Sequence, residues 1–184
     1  MTQVFNPTGE VVPVTLVQAG PIVVTQLKTK EKDGYEAVQV GFEEKKTKEG
    51  EKKTYRHSKE FKTSAEGVTL GQAIDVSAFA ENDEVEVSAI SKGKGFQGVV
   101  KRHGFGGGRR THGQKHSERE PGAIGGGARA GGRVAKGIRM AGRMGSDRVT
   151  IKNLKIVRVD PTGFLLVSGA IPGRRGTLVE IKTA

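Results

Sequence analysis

The chain has 184 residues and a formal net charge of +11, with 31 Lys and Arg against 20 Asp and Glu. It contains no cysteine, which excludes a disulfide framework and thiolate metal sites and favours a cytosolic location. No apolar run approaches the roughly 18 residues that span a membrane, and the start, MTQVFNPTGEVV, lacks the pattern of a signal peptide. The charge therefore indicates a nucleic acid or another polyanion as the partner.

Short stretches rich in β-branched residues, separated by turn sequences, predict a mainly β body. We predict strands at 2–5, 11–18, 22–28, 35–42, 74–79, 84–90, 149–159, 164–168 and 178–182. Turns are indicated at 6–9, 32–34, 81–83 and 160–163, where Gly, Pro, Asn and Asp cluster. Many short strands at regular spacing favour a small β-barrel or a sandwich.

Two other stretches between the strands are less regular. Residues 43–62 mix charges of both signs, and we interpret them as a charged surface loop or a frayed helix. Residues 63–72 are compatible with a short helix. The predicted body therefore comprises 1–90 and 149–184, with 43–62 as a surface excursion.

Residues 91–148, which we call the basic segment, carry the charge imbalance. They include fourteen Lys and Arg but only three acidic residues, so their surplus of eleven positive charges equals the net charge of the whole chain. They also contain seventeen of the 28 glycines and few large apolar residues. Such a segment buries too little apolar surface to offset the entropy of ordering, so we expect it to be mobile until it meets a partner.

Lys and Arg neutralise phosphates, and glycine lets a backbone approach a ligand closely, so the basic segment is a candidate RNA-binding extension. A solvated, disordered basic linker is the alternative interpretation of the same composition. The candidate RNA-binding residues are the cations and histidines of the segment: Lys92, Lys94, Lys101, Arg102, His103, Arg109, Arg110, His112, Lys115, His116, Arg119, Arg129, Arg133, Lys136, Arg139, Arg143 and Arg148.

Motifs for other chemistries are weak. Gly93–Gly98 matches G-x-G-x-x-G by letter, but the glycines at 104–108 would stop a following helix and no acid stands about 20 residues on, so a dinucleotide site is disfavoured. His112 and His116 have the spacing of a helical metal pair, yet Gly113 lies between them and no third ligand follows. We predict no catalytic residue, no metal site and no cofactor.

Several linked stretches resemble one family. MTQVF at the start, SKGKGFQGVVKR at 91–102, REPGAIG at 119–125, KGIRMAGRMG at 136–145 and LLVSGAIP at 165–172 are similar, in this order, to the bacterial form of the large-subunit ribosomal protein L-three family. The resemblance covers nearly the whole chain.

This resemblance implies a β-barrel body with a long Gly- and Arg-rich extension inserted between strands. It implies that the extension runs through large-subunit rRNA toward the peptidyl-transferase centre, in a cytoplasmic ribosome. It further implies a role in subunit assembly, neighbouring large-subunit proteins as partners, and no enzymatic activity. Neither a membrane nor a small-molecule substrate is expected.

Two other functions are compatible with the composition. A free RNA chaperone or another non-ribosomal nucleic-acid-binding protein would use the basic segment without a fixed register. A nuclease would need paired groups of tuned pKa, and its candidates are His112 and His116 with Lys or Glu, residues that any basic loop contains. A membrane-surface role is weaker, because the segment lacks an amphipathic apolar face.

Overall fold

The computed structural model describes residues 1–45, 54–63, 67–125 and 131–183, and these form a mainly β protein. The strands predicted at 2–5, 11–18, 22–28, 84–90 and 164–168 begin and end at the predicted residues. In chain order the elements are β1 (Thr2–Phe5), β2 (Val11–Gln18), β3 (Ile22–Lys28), the short helix α1 (Lys30–Asp33), β4 (Ala37–Glu44), β5 (Tyr55–Phe61), β6 (Ala73–Ile74), a 3₁₀ turn (Val76–Ala78), β7 (Glu84–Ile90), β8 (Gly95–Gln97), the short helix α2 (Val99–His103), β9 (Gly142–Met144), β10 (Arg148–Asp160), β11 (Phe164–Ser168) and β12 (Val179–Thr183).

The chain divides into two compact units. The first contains Met1–Val87, Ile151–Ile171 and Ile181–Ala184, and the second contains Ser88–Thr150 and Pro172–Glu180. The basic segment, residues 91–148, lies wholly within the second unit. None of the described helices has the length and apolar character needed to cross a membrane.

A six-stranded sheet has the strand order β1-β2-β11-β10-β7-β12. Alternation places Val85 and Val87 of β7 and Leu165 and Val167 of β11 in the interior, each with 0% exposure. Ile156 of β10 is equally buried. β-branched and aliphatic side chains at every second position are what a half-buried strand requires, which explains why these strands were predictable.

A four-stranded sheet in the first unit has the order β5-β4-β3-β6. Its core joins Val24 of β3 to Val38 and Val40 of β4. Phe61 of β5 packs against the same cluster. The strands on either side of the turn predicted at 32–34, β3 and β4, pair antiparallel, but the short helix α1 and not a simple turn connects them.

Several local predictions were wrong. Within 43–62, Tyr55–Phe61 is a strand and not a loop, because its backbone pairs with β4 while Phe61 reaches the core; residues 46–53 lie outside the described ranges. The strand predicted at 74–79 shrinks to Ala73–Ile74, since Val76–Ala78 turns as a 3₁₀ helix. No helix occupies the described part of 63–72.

The fold class is confirmed at the level of mainly β. In the described ranges the strands form one six-stranded sheet, one four-stranded sheet and one two-stranded ribbon, and the pairing closes no barrel. The more specific β-barrel therefore stays a prediction.

Candidate nucleic-acid interface

The outgoing and returning ends of the basic segment are joined by backbone hydrogen bonds. Strands β8 and β9 pair antiparallel, with Gly95 opposite Met144 and Gln97 opposite Gly142. Beyond this ladder, the Lys94 amide donates to the Met144 carbonyl at 2.9 Å. The Ser91 amide donates to the Asp147 carbonyl at 2.9 Å. We call residues 91–97 and 142–147 the neck of the basic segment.

The neck depends on a close backbone approach at Gly145. A Cβ atom there would collide with the Lys92 carbonyl oxygen, and the φ of +76° lies in the left-handed region that side chains disfavour. Glycine is therefore required sterically and conformationally where the two backbones meet.

Helix α2 adds a second connection across the basic segment. It follows Gly98 and ends at Gly104, which has φ 72° and whose amide donates to the Val100 carbonyl. Val99 is 2% exposed and anchors the helix. Arg102 donates from Nη1 to the Met140 carbonyl at 2.7 Å, and Nε2 of His103 lies 3.0 Å from the same oxygen. The glycines at 104–108 end the helix as predicted, but a short helix does form.

A closed loop follows between Gly108 and Glu118. The Gly108 amide donates to the Glu118 carbonyl at 2.9 Å, and Nε of Arg110 donates to Oε1 of Glu118 at 2.6 Å. Gln114 donates to the Ser117 hydroxyl within the loop. At its tip, His112 adopts φ 61° beside Gly113 at φ 82°, a pair of left-handed residues that reverses the chain.

Five of the predicted RNA-binding residues make contacts within the protein. Arg102, His103 and Arg110 make the contacts given above. Arg148 donates from Nη1 and Nη2 to the two carboxylate oxygens of Glu180, at 2.8 and 2.5 Å, and this hydrogen bonding raises the pKa of Arg148. The Arg139 guanidinium lies over the Phe105 ring, 5.3 Å from its centroid.

Most of the other predicted residues are exposed. Besides the five residues above, nine predicted cations and two predicted histidines of the basic segment are exposed, on a backbone fixed at the points described above. These residues are Lys92, Lys94, Lys101, Arg109, His112, Lys115, His116, Arg119, Arg133, Lys136 and Arg143. Arg129 lies outside the described residues.

Nothing in the described ranges groups three or more His, Cys, Asp or Glu residues as a metal would need. His103 contacts the Met140 carbonyl inside the basic segment, whereas His112 lies in the loop between Gly108 and Glu118.

Sequence reasoning missed Phe105. Its ring centroid lies 6.0 Å from that of His103, and the Arg139 guanidinium lies over the ring, so Phe105 is near two predicted RNA-binding residues. An aromatic residue within a run of cations was the available signal, since such a ring can hold a cation or a base.

The comparisons with known proteins agree with the quoted sequence stretches. A family model described as Ribosomal protein L3 matches residues 57–163. A Large ribosomal subunit protein uL3 from Herpetosiphon aurantiacus is 47% identical over all of this chain and 92% of its own length. The chain belongs to the ribosomal protein L3 family.

Other members of the L3 family are similarly related. The protein named Large ribosomal subunit protein uL3 in Streptomyces coelicolor is 49% identical, with 100% of this chain and 92% of the relative covered. Its namesake in Cutibacterium acnes is 48% identical over 100% of this chain and 88% of the relative. The L3-family match includes the basic segment as well as the β strands on either side of it in sequence.

Proposed function

We propose that this chain is a structural, rRNA-binding protein of the large ribosomal subunit. The observation that carries the proposal is the basic segment, which holds the entire charge surplus of the chain and exposes twelve described cations. The named relatives, each a large-subunit protein matched over the whole of this chain, support the same conclusion.

The exposed Lys and Arg side chains neutralise phosphates of the rRNA backbone. Because the neck, α2 and the 108–118 loop hold the backbone through their own hydrogen bonds, these cations keep defined spacings. Fixed spacing reads the shape of folded RNA, and it lowers the entropy lost when the complex forms. Arg102, Arg110 and Arg148 serve mainly to hold the protein itself.

The β body and the basic segment have different roles. Residues 1–90 and 149–184 form the body, a small barrel in the family's manner, and offer surfaces to neighbouring large-subunit proteins. Residues 91–148 form the extension that enters the rRNA toward the peptidyl-transferase centre. The protein supports subunit assembly in the cytoplasm and acts without a catalytic residue or cofactor, since the chemistry of the ribosome belongs to RNA.

Binding across a salt series tests the proposal. The full chain is titrated with large-subunit rRNA fragments and with unrelated RNA of equal length. We expect one fragment to remain bound at moderate salt, with a steep dependence of log K on log salt because several counterions are released. Equal, salt-sensitive binding to every RNA would contradict a ribosomal site and favour the chaperone function.

Two arginine variants provide a matched pair. Arg143→Gln removes an exposed cation of β9, so the salt slope should fall by about 1. Arg148→Gln removes a cation already paired with Glu180, so the slope should change less and the stability more. The reverse order would show that Arg148, and not Arg143, contacts phosphate.

A further inference from the structure

A pocket of about 270 Å³ lies within the basic segment. Phe105, Pro121, Ile124, Ile138 and Arg139 are among the residues that line it. This volume is slightly below the roughly 300–1,000 Å³ of sites for drug-sized ligands, so the pocket suits a smaller, compact group.

The lining combines apolar surface with one delocalised cation. Ile124 is 36% exposed and Ile138 is 37% exposed, so both leave apolar surface accessible to a ligand. The Arg139 guanidinium lies over the Phe105 ring, 5.3 Å from its centroid. A flat ring and a flat guanidinium together favour a flat, polarisable guest.

The positive charge around the pocket determines which class of ligand it favours. The segment that builds it carries a surplus of eleven positive charges, which attracts a polyanion and disfavours a basic or neutral apolar peptide. RNA supplies the flat group as well as the anion, because unpaired bases stack on aromatic rings and arginine planes. We propose that this pocket receives one unstacked nucleobase of the RNA that the basic segment binds.

The inference rests on the proposed rRNA binding and adds a contact of a different kind. Phosphate contacts release counterions and weaken with salt, whereas stacking of a base is nearly independent of salt. The pocket would thus fix the register of the extension on the RNA, where phosphate contacts alone tolerate sliding.

The test uses variants of the full chain and the large-subunit rRNA fragment that the wild-type protein binds most tightly. Phe105→Leu keeps apolar bulk but removes the aromatic face, and Arg139→Lys keeps the charge but removes the planar guanidinium. We expect each to weaken binding by about 5- to 50-fold at every salt concentration, with an unchanged salt slope. Phe96→Leu is the matched control, since Phe96 is 73% exposed in β8 and does not line the pocket.

A second measurement locates the base. Each unpaired nucleotide of the fragment is replaced in turn by an abasic one and titrated with the wild-type protein and with Phe105→Leu. We expect one replacement to weaken wild-type binding as much as Phe105→Leu does, and the combination to lose no more than either change alone.

The outcomes separate this inference from the function on which it rests. If wild-type protein shows no preference for any large-subunit fragment, the proposed function fails. If that preference stands but Phe105→Leu and Arg139→Lys bind normally, the base pocket is contradicted and the lining serves another purpose, such as a contact with a neighbouring protein. The base pocket is also contradicted if the loss of affinity in Phe105→Leu adds to the loss from every abasic replacement. It is contradicted equally if Phe96→Leu loses as much affinity as Phe105→Leu.

Discussion

The β strands of the first unit and the basic segment are ordered by different forces. In the first unit, side chains such as Val24, Ile156 and Leu165 are buried to 1% exposure or less and form apolar cores. In the described part of the basic segment, Val99 is the one buried apolar side chain. Its order comes instead from backbone pairing at the neck, a close approach at Gly145 and side chains that bond to carbonyls.

This difference shows how a protein can fix a segment that has almost no core. Backbone hydrogen bonds and charged donors such as Arg102 replace apolar burial, which leaves the surface free for cations. The cost of such a design is low local stability, because each hydrogen bond contributes only about 0.5–1.5 kcal/mol net. Substitutions in the two regions should therefore differ in size and in what they affect.

The largest effect is expected in the apolar core. Leu165→Ala removes most of a side chain with 0% exposure, so the free energy of unfolding should fall by about 2–5 kcal/mol. Leu16→Ala, at a site that is 55% exposed, should cost much less. Denaturant unfolding of both variants checks this, and equal losses would show that burial does not order the first unit.

A smaller but more specific effect is expected at the neck. Gly145→Ala should destabilise the basic segment by about 2–3 kcal/mol, because it combines a left-handed φ with a collision at the Lys92 carbonyl. Gly137→Ala is the control: its φ of +86° is equally unfavourable, but nothing lies within 4 Å of the added Cβ, so about 1 kcal/mol is expected. Local stability measured by amide hydrogen exchange near Lys94 distinguishes them, and similar values would refute the close approach.

Arg102 provides the next test. Arg102→Gln should lower the local stability by about 1–2 kcal/mol, because the charged donor to the Met140 carbonyl is lost. Its neighbour Lys101 is exposed, so Lys101→Gln should leave stability nearly unchanged while it weakens RNA binding. The opposite assignment, with Lys101 needed for stability and Arg102 for RNA, would be evidence against the proposed division of roles.

The smallest expected effect is the contribution of Glu60, in the first unit, to the pH dependence of stability. Hydrogen bonds from Lys28 and Tyr35 hold the pKa of Glu60 below its ordinary value of 4.5. A carboxylate with a lowered folded-state pKa stabilises the fold above pH 4.5, and this contribution disappears as the pH falls through the lowered pKa. Melting temperatures recorded from pH 6 to pH 3 should therefore fall less steeply in Glu60→Gln than in the wild-type protein. Parallel curves would show that Glu60 contributes no pH dependence.

The elements that could be predicted from the sequence are those whose residue pattern lies within a few neighbouring positions. Strand β7 alternates apolar and polar residues over most of its seven positions, and β11 is a short apolar run that follows a turn, so the bounds of both were correct. Strand β5 was missed because Tyr55–Phe61 is mostly polar, and only pairing with β4 makes it a strand.

The contacts of the basic segment could not be read from any short window. Arg102 and Met140 are 38 positions apart, and Ser91 bonds to Asp147 across 56 positions. Composition singled out the cations but treated them as equivalent. The pairing of Arg148 with Glu180 depends on the strands that bring them together, and no residue pattern near Arg148 indicates it.

Amide hydrogen exchange of the RNA-free protein tests most directly whether the basic segment is structured by its own contacts. The amides of Ser91, Lys94 and Gly108 donate to carbonyls of Asp147, Met144 and Glu118, so their exchange should be clearly slower than in an unstructured peptide. Exchange of all three at the rate of an unstructured peptide would contradict this and would restore the expectation from composition, a segment that orders only on RNA.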